Sequence, residues 1–260
     1  MPGTPTILKT EAVALRVYDV SNTSHVVVWL SPDHGRIATL VKGAARPKSQ
    51  FLGQYDLYYT CELLFYARNS AGLHIARECT PLDMREPLRR HWRAALCASH
   101  LCDLVDATSP AGVGAGALYD ILRRALDRLA AHPDPTSVVG TLLWFEARFL
   151  AVAGWFPNLR GCGRCCERGG DIRVSVAEGR AVCDHCAGPD VAVSGTLPRT
   201  ALFRLSAASR PDSAPGIFDG LSDGDIIPLR RFLGMFIRHH LDLDLEARSL
   251  LLEHVRPKLR

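Results

Sequence analysis

Along the first 80 residues apolar and polar positions trade places in short runs. Val13, Leu15 and Val17 are interleaved with Ala14 and Arg16, and Val26-Val27-Val28-Trp29-Leu30 is a compact β-branched run. Arg36 to Val41 follows the turn Ser31-Pro32-Asp33-His34-Gly35, and Asp56 to Tyr66 and Leu73 to Ala76 complete the set. About five strands punctuated by turns predict a small closed barrel or a sandwich. From Met84 the period lengthens. Leu88, Trp92, Leu96 and His100 recur every fourth position, and Ala115 to Ala131 and Ser137 to Val152 also carry helical apolar faces. Pro133-Asp134-Pro135 separates the last two. Pro198 to Ala208 and Ile227 to Val255 read as further helices, and Ser209 to Gly216 as a mobile loop between them. Gly161 to Gly188 is rich in Cys, Gly and Arg and too polar to form a core of its own. The pattern predicts a β-barrel, then helices, with a small Cys-rich insertion in the helical part: an α+β multidomain chain.

Composition narrows the function classes. Of 260 residues 47% are hydrophobic and 22% charged, which is globular chemistry and not that of a disordered or fibrous chain. The net charge of +4 is mild, so a nucleic-acid role has to come from local clustering. The longest apolar stretch, Leu142 to Ala153, is interrupted by Glu146 and Arg148, and Met1-Pro2-Gly3-Thr4 carries no leader pattern. The expectation is a cytoplasmic protein with no membrane contact, whose nine cysteines are thiols or metal ligands.

The strongest motif is Cys162-Gly163-Arg164-Cys165, 17 residues, then Cys183-Asp184-His185-Cys186. A two-residue spacer lets both sulfurs of a tight turn face one point. The link is long enough for a hairpin, Asp171 to Val176 and Arg180 to Val182, that sets the second turn opposite the first. Four thiolates complete a tetrahedron, which points to one structural Zn2+ at Cys162, Cys165, Cys183 and Cys186. Cys166, where many such knuckles carry glycine, is an alternative ligand to Cys165; disulfides and idle buried thiols are the other readings. Cys61, Cys79, Cys97 and Cys102 match no pattern and read as packed thiols.

Between His34 and Gln50 lie four cations, Arg36, Lys42, Arg46 and Lys48, and no acid. Three of them fall in a turn-rich stretch that reads as a mobile cationic loop beside the barrel, suited to tracking phosphates. Phe51, Tyr55, Tyr58 and Tyr59 are either faces for stacked bases or core. As successive strand residues, Tyr58 and Tyr59 would face opposite ways. Trp144, Phe145, Phe149 and Trp155 read as core, and Glu146-Ala147-Arg148 as helix surface.

The layout resembles the bacterial recombination mediator and DNA repair family RecO over nearly the full chain. The resemblance is carried in order by Lys9 to Leu15, Val41-Lys42-Gly43, Arg46-Pro47-Lys48-Ser49, the cysteine pair near Gly161, Glu178-Gly179-Arg180-Ala181-Val182-Cys183, Leu229-Arg230-Arg231-Phe232-Leu233 and Arg248-Ser249. It implies an N-terminal OB-fold over 1–82 that binds nucleic acid. A helical domain would follow in two parts, 83–158 and 191–260, around a zinc-ribbon-like module at 159–190. It further implies binding of single- and double-stranded DNA, strand annealing without enzymatic turnover, and nucleoid association. The implied partners are RecR and the single-stranded-DNA-binding protein, with loading of RecA as the outcome. Two other classes stand beside it. A hydrolase would draw on His25, His34, His91, His100, His239 or His240 with Asp33 or Asp242, but no nucleophile elbow, phosphate loop or His-Glu-x-x-His site is present. A zinc-containing DNA-binding regulator would need a helix between the cysteine pairs to enter a major groove.

Overall fold

A computed structural model describes residues 6–68, 72–159, 161–165, 172–187, 194–243 and 245–253. The chain divides into two compact units, residues 1–131 and 132–260. The division lies inside the 83–158 segment taken from sequence as the first helical part.

The first unit opens with β1 (Ile7–Ser21), β2 (Ser24–Ser31), β3 (Gly35–Val41), β4 (Thr60–Tyr66) and β5 (Leu73–Asp83). They close into a barrel in the order β1-β2-β3-β5-β4, with β3 and β5 parallel and the other pairs antiparallel. This is the OB-fold topology. β1 serves two neighbours, pairing Val13 with Leu30 of β2 and Thr60 of β4, and a register shift between Ala14 and Arg16 bends it around the barrel. Alternation does the sorting. Ala12, Ala14, Val27, Trp29, Ile37, Val41, Leu63 and Phe65 point into one core, and the Trp29 indole N–H donates to Thr39 Oγ1 at 2.9 Å. Gly35 is glycine for two reasons. Its φ is +61°, and a Cβ there would lie 2.1 Å from the Val113 carbonyl oxygen.

Tyr58 and Tyr59 are not strand residues. Tyr58 sits at φ +68°, and β4 begins only at Thr60. Its N–H donates to Ala14 O, and Ala14 N–H donates to Tyr59 O, so the segment pairs locally with the bend of β1.

Three helices complete this unit: α1 (Pro87–Arg90), α2 (Trp92–Thr108) and α3 (Gly116–Ala131). α2 buries Ala94, Cys97, Ala98, His100, Leu101, Cys102, Leu104 and Val105, and of the four-residue spacing read from sequence Leu88 and His100 are buried while Leu96 is half-buried and Trp92 faces outward. Arg85, buried at the end of β5, donates to Tyr58 O at 2.6 Å and pairs with Asp127 of α3 at 2.7 Å.

The second unit contains α4 (Pro135–Val152), β6 (Ile172–Ser175), β7 (Arg180–Val182), β8 (Gly195–Leu197), α5 (Arg199–Ala208), α6 (Asp223–Leu241) and α7 (Glu246–Glu253). Asp134 caps α4 by accepting from Ser137 N–H at 3.0 Å, and Pro135 occupies the first turn, where its missing N–H costs nothing. Every residue from Val138 to Leu150 is buried, so α4 is the axis of this unit.

Three sequence expectations change here. Glu146 and Arg148 are buried, not a helix surface. Glu146 forms a bidentate pair with Arg248 of α7 at 2.6 and 3.0 Å, and Arg248 also donates to Arg230 O at 2.7 Å. The stretch 209–216 is pinned: Ser213 is buried, accepts from the Trp144 indole N–H at 2.9 Å and donates to Ala208 O at 2.8 Å. Trp144, Phe145 and Phe149 are core, while Trp155 is half exposed. Among the described residues no helix is long and apolar enough to cross a membrane.

Candidate nucleic-acid interface and metal centre

The segment after β3 is a series of turns fixed at its base. Ala44 is buried in the barrel core, Ala45 N–H donates to Thr23 O at 3.2 Å, and Gly43 N–H donates to Ser24 Oγ at 3.3 Å. This anchoring replaces the freely moving loop expected from composition. Lys42, Arg46 and Lys48 stand exposed on it, and none has a carboxylate partner among the described residues. Three uncompensated cations within seven residues are what a polyanion backbone requires.

Arg36 is placed elsewhere. It lies near the opposite end of β3 from Lys42, about 20 Å away along an extended strand. Its guanidinium pairs with Asp106 of α2 at 2.7 Å, and the same carboxylate receives Arg16 at 2.9 Å, while Arg16 also reaches Asp103 at 2.8 Å. Burial raises the pKa of the Asp103 carboxyl, against the pull of Arg16. Arg36 therefore joins strand to helix in a network that sequence alone does not display.

The aromatic residues beside the turn resolve as core. Phe51 and Tyr59 are buried, Tyr55 packs on the barrel interior with its hydroxyl 2.7 Å from His25 Nδ1, and the Tyr58 hydroxyl donates to Ala95 O.

In the second unit the four sulfurs of Cys162, Cys165, Cys183 and Cys186 lie within 4.8 Å of one another, and Cys165 and Cys183 are 3.6 Å apart. A disulfide would need about 2.05 Å. A tetrahedral thiolate site with metal–sulfur bonds of about 2.3 Å has sulfur–sulfur edges of about 3.8 Å. The cluster fits the second geometry, so these residues could hold a metal ion. The local fold explains the convergence. β6 and β7 pair as the expected hairpin, and β7 delivers Cys183. Gly163 N–H donates to Ala181 O at 2.8 Å, which holds the first knuckle against β7, and a Cβ at Gly163 would lie 2.4 Å from Arg180 Cδ. β8 adds a third strand against β6 that the sequence pattern did not reveal.

Burial opposes ionisation of Cys162, but backbone N–H groups at Cys165, Cys183 and Arg164 outweigh it and bring the thiol down to about 6. The Cys186 thiol is pushed up to about 12, first by its hydrogen bond to Cys165 and then by burial. Cys166, Arg160 and Arg168 lie outside the described residues. The described residues between the two pairs are strand and turn, with no helix to enter a major groove.

We expect one metal ion per chain in reduced protein, and Cys183→Ser to abolish that stoichiometry. The variant should increase amide exchange across 172–187 and leave β1–β5 protected, because the barrel has its own core. Metal analysis and region-resolved exchange read both; a barrel that loosens with the module contradicts the outcome.

A groove of about 940 Å³ with a mixed lining runs along α5, with Phe156, Leu159 and Phe203 beside Ser206, Ser209 and Arg210. Phe203 is 71% exposed and also borders a second groove of about 660 Å³ beside Ile217 and Leu221. α4 is enclosed from Val138 to Leu150, and α6 buries one face through Leu229, Phe232, Leu233, Phe236 and Ile237.

Comparison with known proteins agrees along the whole chain. Residues 6–85 match the family model described as Recombination protein O N terminal, and residues 89–249 the one described as Recombination protein O C terminal. DNA repair protein RecO of Moorella thermoacetica is 27% identical, covering 97% of this chain and 92% of its own length. The protein of the same name from Roseiflexus sp. is 29% identical over 98% and 88%, and that from Rhodopirellula baltica 30% over 84% and 81%.

Proposed function

As the chain belongs to the RecO family of DNA repair proteins, we propose that it is a non-enzymatic recombination mediator that anneals complementary DNA strands in the bacterial cytoplasm, at the nucleoid. The observation that carries this reading is the anchored turn with Lys42, Arg46 and Lys48 exposed and uncompensated on an OB-fold barrel. Two strands repel through their phosphates. Cations that replace counterions lower that repulsion and leave bases free to pair, so no covalent step is needed. In this reading 1–82 holds nucleic acid, single- or double-stranded, and 83–158 with 191–260 forms the scaffold. Residues 159–190 form a module braced by one Zn2+ on Cys162, Cys165, Cys183 and Cys186. Zinc there supplies a cross-link with no open coordination position.

The partners are RecR and the single-stranded-DNA-binding protein, and the outcome is RecA loaded onto coated single strands. The groove along α5, with Phe203 at its lip and Arg210 at its rim, suits an acidic peptide with an apolar end.

The test is annealing of complementary oligonucleotides, bare and coated with single-stranded-DNA-binding protein, in the absence of ATP. Acceleration in both conditions is expected. No acceleration, a requirement for ATP, or strand cleavage would each overturn the proposal.

A further inference from the structure

A second surface lies at the same end of the barrel as the basic turn. β3 and β5 run parallel, so the chain leaves both at one end. β5 then continues past its pairing with β3, and from Ala76 to Asp83 it extends by about 23 Å. The connection between β3 and β4 lies along this extension. Gln50 Nε2 donates to Arg77 O at 2.9 Å, Cys79 Sγ approaches Gln54 O at 3.5 Å, and Arg89 pairs with Asp56 at 2.7 Å. One track therefore leads from Lys42, Arg46 and Lys48 to the junction of α1 and α2.

That junction presents an uncommon side chain. Trp92 is 49% exposed, although indoles are highly buried on average. The Arg93 guanidinium lies over its ring at 4.4 Å, and Arg89 lies over Tyr59 at 4.8 Å. Arg90 is exposed and only loosely paired with Glu86 at 3.7 Å, a surface contact worth little, and His91 is exposed beside it. A flat ring backed by a cation, among further cations, matches what holds single-stranded nucleic acid without reading its sequence: π-faces for bases and positive charge for phosphates.

We propose that Trp92, backed by Arg93, is a stacking platform for a base of a single strand whose phosphates are held at Lys42, Arg46 and Lys48, the strand following the β5 extension between them. The inference rests on the nucleic-acid reading above and names the residue that would set how much of a strand one chain engages. The surface also includes the exposed apolar side chains Leu82 and Met84. The cations around the ring favour a polyanion over a protein as its occupant.

The experiment uses the full chain with oligothymidylates of increasing length, read by tryptophan fluorescence and by anisotropy of a labelled strand. Trp29 and Trp144 are fully buried and Trp155 is half exposed, so the fluorescence series is run in a Trp155→Phe background, where a base stacking on Trp92 dominates any quenching. Expected are quenching on binding, its loss in Trp92→Phe with affinity largely kept, and binding about 5- to 150-fold weaker in Trp92→Ala. The slope of log affinity against log salt should be unchanged in both, since no phosphate contact is removed. Trp92→Ala binding as the unsubstituted chain does, or quenching that survives Trp92→Phe, overturns the platform. No strand binding by the unsubstituted chain overturns the parent reading instead, and thermal melting confirms that each variant is folded.

Discussion

Replacing Glu146 with Ala is expected to destabilise the second unit by about 3–5 kcal/mol, because it leaves the Arg248 guanidinium buried with no counter-charge. The hydrogen bond from Arg248 to Arg230 O remains, but a carbonyl dipole does not neutralise a full charge. Size alone does not explain the loss. Replacing both partners with Met should cost far less than the single change, since the desolvation of two ions is then removed together. Gly234 belongs to the same site: a Cβ there would lie 2.4 Å from Arg248 Nη1, so the guanidinium depends on the bare backbone of α6. Urea unfolding with region-resolved amide exchange separates the outcomes. α4, α6 and α7 should lose protection while the barrel keeps its own, and a shift below about 1 kcal/mol would mean that water reaches Arg248.

Changing Lys42, Arg46 and Lys48 together to Ala is expected to reduce the salt dependence of single-strand binding by about 2 in log–log slope, at about 0.7 per contact. The same counterion term sets the affinity loss, about 500-fold at 50 mM salt and about 30-fold at 200 mM. A defect that shrinks as salt rises is the signature of lost phosphate contacts; one that is constant with salt points to misfolding. Arg36→Ala is the comparison. Its charge is taken by Asp106, so its main effect should be a weaker tie between β3 and α2, with the slope kept. An unchanged slope in the triple variant would remove the turn from the DNA surface.

Local chemistry was readable where local chemistry decides. The alternation in β3 and the Cys-x2-Cys spacings are set within a few residues, and both reappear in the structure. What the sequence hid depends on distant partners. Glu146 on α4 looks like a polar helix face until Arg248, 102 positions on, arrives beside it. Ser213 sits in a Pro- and Gly-rich stretch that reads as mobile, until the Trp144 indole and the Ala208 carbonyl fix it. Arg36 counts as a free cation until Asp106 is placed on α2. Tyr58 carries a strand-forming side chain, yet the bend in β1 imposes a positive φ on it. Trp92 and Trp144 both sit at helical spacing, and nothing local says that one faces outward and the other is enclosed.

The strand order β1-β2-β3-β5-β4 also bears on how the chain is made. The last strand to be synthesised inserts between two earlier ones, so β4 cannot close the circle against β3 by itself. Until Asp83 has left the ribosome, the growing chain displays raw sheet margins that can capture a neighbouring nascent chain. A translational stall shortly before that point would thus promote aggregation, whereas one after it would leave a finished barrel waiting for its helices.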